Sequence, residues 1–318
     1  MDAEDIENTD EEKKKQEELN LKLLQAIKNA DIILVNQLIQ EGADIWYRDD
    51  QVYDYLLEEG CRAELIFDGK KLLDSENNGV MMGWEQLLME KHAEILCLRE
   101  NLIENNEIDE TNETNEINQI NEINEINENV IELNILNIGF GLGLIDSAIQ
   151  KYKPTLHTII EAHPDVYKFM IEQGWDKKPG VKIIFGKWQE VLINNNNQLL
   201  EEEGEEQVLY DGIFFDTFGE YYKDLKEFNE EVVINYLKPN GIYSFFNGLG
   251  ATNSFFHDVY CKIVEMHLAE LGLEINFIEI PLDEIFNDEK ECERIWEGVK
   301  RRYWNLNLYR LPICKFMI

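Results

Sequence analysis

Residues 136–145, reading LNIGFGLGLI, constrain this chain more than any other segment. An apolar run at 133–138 enters three glycines at alternate positions, Gly139, Gly141 and Gly143. Apolar residues then resume at helical spacing over 144–152. Glycines between a strand and a helix let the backbone turn sharply and approach a ligand that any Cβ would exclude. The helix start adds free N–H groups. Strand, glycine loop and helix in this order predict a nucleotide-cofactor loop at the carboxyl end of the first strand of a doubly wound sheet.

Downstream, the pattern alternates. Strands are expected at 131–138, 157–161, 181–185, 212–216, 241–246 and 274–280, with a last one near 304–311. Helices are expected around 145–152, 164–174, 227–237 and 253–271. Such alternation predicts an α/β doubly wound (Rossmann-like) fold.

Charge narrows the partners. With 65 acidic and 29 basic residues the formal charge is −36. That argues against nucleic acid and anionic membranes as direct partners and favours a basic one. Much of the charge sits in tails and inserts, at 2–18, 100–132 and 201–206, where solvated acidic segments are the plain reading. Five scattered cysteines without a C-x-x-C pair suit reduced thiols in the cytoplasm or nucleus, and neither a disulfide framework nor a zinc site. The chain opens on acidic and polar residues, so no secretory leader is expected. No apolar run approaches the ~18 residues of a membrane span.

Three parts follow. Residues 1–18 read as a disordered acidic tail. Residues 19–75 read as an α-helical ankyrin-like segment with a connector. The stretch LNLKLLQAIKNADIILVNQLIQEGADIWYRDD resembles about one ankyrin repeat, broken at Asn29–Asp31 and turning at Glu41–Asp44. A single repeat cannot bury its own face, so docking on the rest of the protein or on a partner is expected. Residues 76–318 carry the α/β domain. Within it, 101–129 is built of Asn, Glu and Ile triplets whose period of three suits neither helix nor strand. It reads as a disordered acidic insert, and 194–207 as a second polar insert.

The glycines read G-x-G-x-G, so the third falls one position early for a nicotinamide dehydrogenase, which wants G-x-G-x-x-G. Further landmarks favour S-adenosylmethionine. Glu161 ends the second strand, 18 residues after Gly143, where a carboxylate can accept both ribose hydroxyls. Gly186-Lys187-Trp188-Gln189 follows the third strand, where an adenine needs a flat apolar wall and an amide partner. Asp216 ends the fourth strand in YDGIFFDTFG, and LKPNG leads into the fifth, much as L-K-P-G-G does in class I methyltransferases. His163 is expected near the ribose as a contact, not as a base. Asn247-Gly248-Leu249-Gly250, after the fifth strand, is placed at the substrate entrance or in a simple reversal.

VMMGWEQLLMEKHA, FGLGLID, IIEAHP, GKWQEV and DGIFFDTF closely resemble the guanidinoacetate methyltransferase family and its protein-directed relative, the fungal-type arginine delta-N-methyltransferase family. The resemblance runs from about residue 78 to the C-terminus, interrupted by the acidic insert. An ankyrin-like N-terminus is the layout of the protein-directed family. The resemblance implies a class I fold that binds S-adenosylmethionine and releases S-adenosylhomocysteine, without a metal. It places Met81, Met89, Gly139, Phe140, Gly141, Leu142, Gly143, Leu144, Ile145, Glu161, Ala162, His163, Trp188, Gln189 and Asp216 at the cofactor. Methionines at helical spacing also serve as core filler, and for Met81 and Met89 both readings stand. The implied acceptor is the delta nitrogen of arginine in a basic protein, a ribosomal protein by family habit. Apart from the resemblance, a monomer is expected, though the sequence does not specify the oligomeric state.

The chemistry demands carboxylates. A guanidinium is protonated, planar and delocalised, so its nitrogens hold little lone-pair density. Acidic groups must grip the fork, localise charge away from the attacked nitrogen and take the released proton. Glu85 and Asp216 match the family's guanidino-binding positions. Two rivals remain: a small guanidino acceptor such as guanidinoacetate, and an ankyrin-type adaptor whose methyltransferase domain is only a scaffold.

Overall fold

The computed structural model describes residues 64–98, 132–193, 207–218, 221–283, 285 and 293–317, with Lys15, Leu19 and Lys22. The ankyrin-like unit apart from Leu19 and Lys22, the acidic insert at 101–129 and all but the last residue of the polar insert at 194–207 lie outside the described residues, as does nearly all of the acidic tail. The chain divides into two units, Met1–Gly60 and Cys61–Ile318, and every element below belongs to the second.

That unit opens with a three-stranded antiparallel sheet, β1 (Ile66–Asp68), β2 (Lys71–Leu73) and β3 (Gly79–Met82). A 3₁₀ turn at Gly83–Glu85 leads into helix α1 (Gln86–Cys97). The alternating part follows as β4 (Asn134–Ile138), α2 (Leu144–Gln150), β5 (Leu156–Glu161), α3 (Pro164–Glu172), β6 (Val181–Phe185), β7 (Tyr210–Phe215), α4 (Tyr222–Phe228), β8 (Leu237–Phe245), α5 (Ser254–Glu270), β9 (Leu273–Pro281) and β10 (Leu308–Phe316). The seven-stranded sheet has the order β6-β5-β4-β7-β8-β10-β9. Strands β6, β5, β4, β7 and β8 run parallel, and β10 is antiparallel to both its neighbours. This mixed sheet with a reversal of strand order is the doubly wound, Rossmann-like arrangement expected from the sequence.

The central strands are largely apolar because both sheet faces are covered. Ile135, Ile159, Phe214 and Ile242 point to one face and pack with Met89, Leu96, Ile149 and Met170 of α1, α2 and α3. Leu136, Ile160, Phe215 and Tyr243 point to the other and pack with Phe228 of α4 and Val264 and Leu268 of α5. A third cluster gathers Trp84, Leu88, Trp296, Trp304, Tyr309 and Leu311. The edge strand β9 is buried only at Leu273 and carries Glu274 and Glu279, charges that discourage pairing with another edge.

Several boundaries move. LKPNG is the start of β8, not a turn: Leu237 pairs with Tyr210, and the register breaks before Gly212 meets Ile242. Pro239 lacks an N–H there, which is why the irregularity falls at this point. The last strand begins at Leu308, because the Trp304 indole N–H donates to the Leu306 carbonyl at 2.7 Å and closes a local turn first. Helix α4 starts at Tyr222, capped by Asp224, whose carboxylate accepts the Tyr221 N–H at 2.7 Å. On α1, Leu87 faces outward, and the buried stripe is Leu88, Met89, His92, Ala93 and Leu96.

The order of strands reverses between β4 and β7. Ile138 pairs with Ile160 on one side and Phe215 on the other. The next residues, Gly139, Glu161 and Asp216, therefore stand in a row at the carboxyl ends, where doubly wound sheets bind ligands.

Candidate active site

Backbone bonds carry the row past the strand ends. Asp216 N–H donates to Ile138 O, and Gly139 N–H to Ile160 O, both at 2.9 Å. Gly139 has φ +87°, and a Cβ there would lie 1.9 Å from the Asp216 carbonyl oxygen. Only glycine lets the two strand ends meet so closely. Gly141 and Gly143 also have positive φ; a Cβ on Gly141 would strike the Met81 sulfur and one on Gly143 the Phe140 ring. Phe140 is buried edge-on against Trp175, with Leu142 and Leu144 half-buried and Ile145 buried. Helix α2 is seven residues long and lends the loop little dipole of its own.

Glu161 ties the loop together. Its carboxylate accepts the Phe140 N–H at 2.8 Å and the His163 N–H at 2.7 Å, and the Gly141 and Ala162 N–H groups also face it. Burial raises its pKa and these donors oppose the rise. His163 caps α3, its Nδ1 accepting the Asp165 N–H at 3.1 Å. Met81 reaches the loop, its sulfur accepting the Leu142 N–H at 3.2 Å. Met89 is fully buried in the cluster of α1, α2 and α3. Trp188 is also buried, edge-on to Phe215 and Phe228, and Gln189 begins a π-helical turn beside it. A loop whose glycines admit no side chain without striking Asp216, Met81 or Phe140, with the Glu161 carboxylate behind it, suits the close backbone approach that a nucleoside cofactor needs.

Beside the loop lies a pair of buried acids. Glu85 is 2% exposed at the end of the 3₁₀ turn between β3 and α1. Its Oε1 accepts the Met82 N–H at 2.7 Å and the Tyr303 hydroxyl. Burial, and then the nearby Asp216 charge, push the Glu85 carboxyl up to about 8, against those two donors. Burial, and then Asp146, push Asp216 up to about 7. The Asp216 Oδ2 is buried without a hydrogen-bond partner among the described residues. Two acids a field's reach apart and shielded from water cannot both ionise easily near neutrality. A planar cation between them would remove that difficulty.

Residues distant in sequence build the remaining walls, and sequence reasoning missed them. Tyr303 stacks on Trp84 at 6.4 Å and meets Trp296 edge-on at 5.2 Å. Gly79 leaves room for its ring: a Cβ there would sit 3.0 Å from it. Tyr309 Oη is 2.8 Å from His92 Nε2, and His92 Nδ1 is 2.8 Å from Ser244 Oγ. Ser244 gives its proton to the Pro312 carbonyl, so its oxygen accepts from His92 Nδ1, and Nε2 accepts the Tyr309 O–H. Burial holds His92 down at about 3, so this chain of bonds is uncharged. The aromatic cluster in WEGVKRRYWN was the one available hint of this wall. Among the described residues no three metal-ligating side chains cluster, and no described helix is long and apolar enough to cross a membrane.

Comparison with known proteins fits this geometry. The family model described as guanidinoacetate N-methyltransferase matches residues 105–275. A protein of Cryptococcus neoformans named protein arginine N-methyltransferase 2 is 33% identical, covering 91% of this chain and 82% of its own. Its namesake in Emericella nidulans is 39% identical over 80% of this chain and 49% of its own. The Saccharomyces cerevisiae namesake is 39% identical over 80% of this chain and 52% of its own. The chain thus spans about half the length of several curated relatives it matches.

Proposed function

This chain belongs to the protein arginine N-methyltransferase 2 family, and on that premise we propose that it methylates the delta nitrogen of arginine in a basic protein, with S-adenosylmethionine as donor. The observation that carries the reading is the buried pair Glu85 and Asp216, both reluctant to ionise, beside the glycine cradle. When bound, the donor supplies an electrophilic methyl on a sulfonium. Gly139, Gly141 and Gly143 would let the backbone approach it, and Glu161 would take the ribose edge.

The protein's own work is positioning and charge. Glu85 and Asp216 would grip the guanidinium fork from two sides, and Tyr303 and Met82 hold Glu85 in place. Charge drawn toward the gripped nitrogens leaves lone-pair density on the third. In a guanidino group whose two outer nitrogens are held, that third atom is the one bearing the carbon chain, which in a peptidyl arginine is the delta nitrogen. One of the two carboxylates accepts the released proton, and a group poised near 7 or 8 is well matched to that task. The aromatic wall of Trp84, Trp296 and Tyr303 would exclude water.

The acidic chain favours a basic partner, and a ribosomal protein is the substrate we propose. Cys97, Cys261 and Cys314 are unpaired, which suits the reducing cytoplasm or nucleus. An adaptor with a dead scaffold would have no use for two costly buried acids. The test is incubation of the purified chain with methyl-labelled S-adenosylmethionine and two acceptors, a ribosomal protein extract and guanidinoacetate, with the label located by fragmentation mass spectrometry. Label on the delta nitrogen of a protein arginine is expected. Label on guanidinoacetate alone would refute the protein substrate and keep the carboxylate chemistry.

A further inference from the structure

One cluster of reactive groups lies outside this chemistry. Cys261 on α5 sits one turn from His257, with its sulfur 3.8 Å from Nε2. The other ring nitrogen, Nδ1, is 2.7 Å from the Leu249 carbonyl oxygen. A carbonyl only accepts, so Nδ1 carries the proton in the neutral ring, and Nε2 is the basic end facing the thiol. The Asn247 amide N–H points to the same sulfur at 3.6 Å, and the Arg310 guanidinium also reaches it. Asn247 is 1% exposed, and its Oδ1 has no hydrogen-bond partner among the described residues. The buried amide that touches the thiol thus keeps one acceptor unused.

We infer that Cys261, His257 and Asn247 form a thiol-modification site whose substrates are small-molecule disulfides, and that its modification disturbs the acceptor pocket through Asn247. His257 Nε2 takes the thiol proton. The sulfur attacks one sulfur of a disulfide such as glutathione disulfide, the old S–S bond breaks, and the other half leaves as a thiolate that recovers the proton. The product is a protein mixed disulfide and one small thiol.

Three features support it. Burial pushes the Cys261 thiol up, but His257, Asn247 and Arg310 outweigh it and bring the thiol below its ordinary range. Burial pushes His257 down, and Cys261 and the Leu249 carbonyl outweigh that in turn. The contrast is internal: burial drives Cys97 and Cys314 upward, with Asp211 adding to the rise at Cys97. Access is guarded by Arg310, which bridges Asp258 and Glu279 at the surface. Such exposed pairs hold weakly, so this cover opens readily. Finally, the Asn247 backbone N–H donates to Tyr309 Oη at 3.1 Å, and that hydroxyl lies in the field of Glu85 and Asp216. A group attached to Cys261 must push the Asn247 amide aside. This last step rests on the methyl-transfer reading; the thiol site does not.

The test has two arms on the full-length protein. In the first, iodoacetamide is applied from pH 6 to 10 and adducts are counted peptide by peptide. Cys261 is expected to label at least ~10-fold faster at pH 7 than Cys97 and Cys314, and ~10-fold slower once His257→Asn removes the base. Labelling no faster than those two buried thiols, or indifferent to His257, overturns the site. In the second arm, glutathione disulfide is expected to modify Cys261 and lower methyl transfer at least ~5-fold, reversibly with dithiothreitol, while Cys261→Ser keeps its activity. Full activity with Cys261 modified overturns the coupling. If no acceptor is methylated at all, the first arm still decides the site, so the two failures remain distinct.

Discussion

Replacing Glu85 by glutamine should stabilise the protein while disabling it, and the gain should depend on pH in a defined direction. The Glu85 carboxyl is held at about 8 in the folded chain against an ordinary 4.5. A group whose folded pKa is raised contributes its full stability below the unfolded value and loses it as pH climbs to the folded one. Between pH 4.5 and 8 the folded state therefore sheds stability at this residue. At about 1.4 kcal/mol per tenfold, complete ionisation costs about 5 kcal/mol, part of it repulsion from Asp216. Glutamine never ionises, and its oxygen can still accept the Met82 N–H and the Tyr303 hydroxyl. The variant should match the wild type near pH 4 and exceed it by about 3 kcal/mol or more at pH 9, a rise in Tm of about 6 °C. Thermal melts of both proteins across that range, without acceptor, are the assay. Methyl transfer should fall ~10²-fold or more at the same time. A variant equally stable or weaker at pH 9 would refute the claim that Glu85 is a strained, desolvated acid.

Asp216→Asn should leave cofactor affinity within a few fold by calorimetry while methyl transfer drops ~10²-fold or more; unchanged turnover would sink the carboxylate-pair mechanism. Tyr303→Phe removes a donor that holds Glu85 down, so Glu85 keeps its proton to higher pH and the acid limb of kcat/KM should move up by about one pH unit. A limb that stays put while Tm falls would make Tyr303 a packing residue only. Gly139→Ala drives a Cβ into the Asp216 carbonyl at a backbone angle that alanine resists, so it should cost about 2–4 kcal/mol in denaturant melts and abolish cofactor binding. Wild-type affinity in that variant would show that the strand ends can part freely.

What the chain declares about itself depends on sequence distance. The glycine loop, Glu161 and Asp216 are legible because each sits at the end of an apolar run, and parallel register then lines up strand ends automatically. Glu85 has no such marker: it lies in a turn before a helix, and resemblance alone singled it out. Tyr303 and Tyr309 were invisible because their partners Glu85 and His92 lie 218 and 217 positions away. No local periodicity encodes a pairing of that span. Met81 and Met89 looked alike in sequence, yet one sulfur meets the Leu142 N–H and the other residue fills the core. The boundary of β8 was missed because LKPNG reads as a turn in isolation, whereas pairing with β7 extends the strand across the proline.

The bond from Tyr303 to Glu85 also sets an order of assembly in time. A chain leaves the ribosome N-terminus first, at about 5–20 residues per second. Gly139, Glu161 and Asp216 are made within one continuous stretch, whereas Tyr303 follows Asp216 by 87 residues, since 303 − 216 = 87. For some 4–17 seconds at those speeds, a growing chain holds every part of the cradle and an acceptor wall still missing its last side. Glu85 spends that interval without its hydroxyl partner. Glu85 therefore gains its hydroxyl partner only after every parallel strand of the sheet has been made.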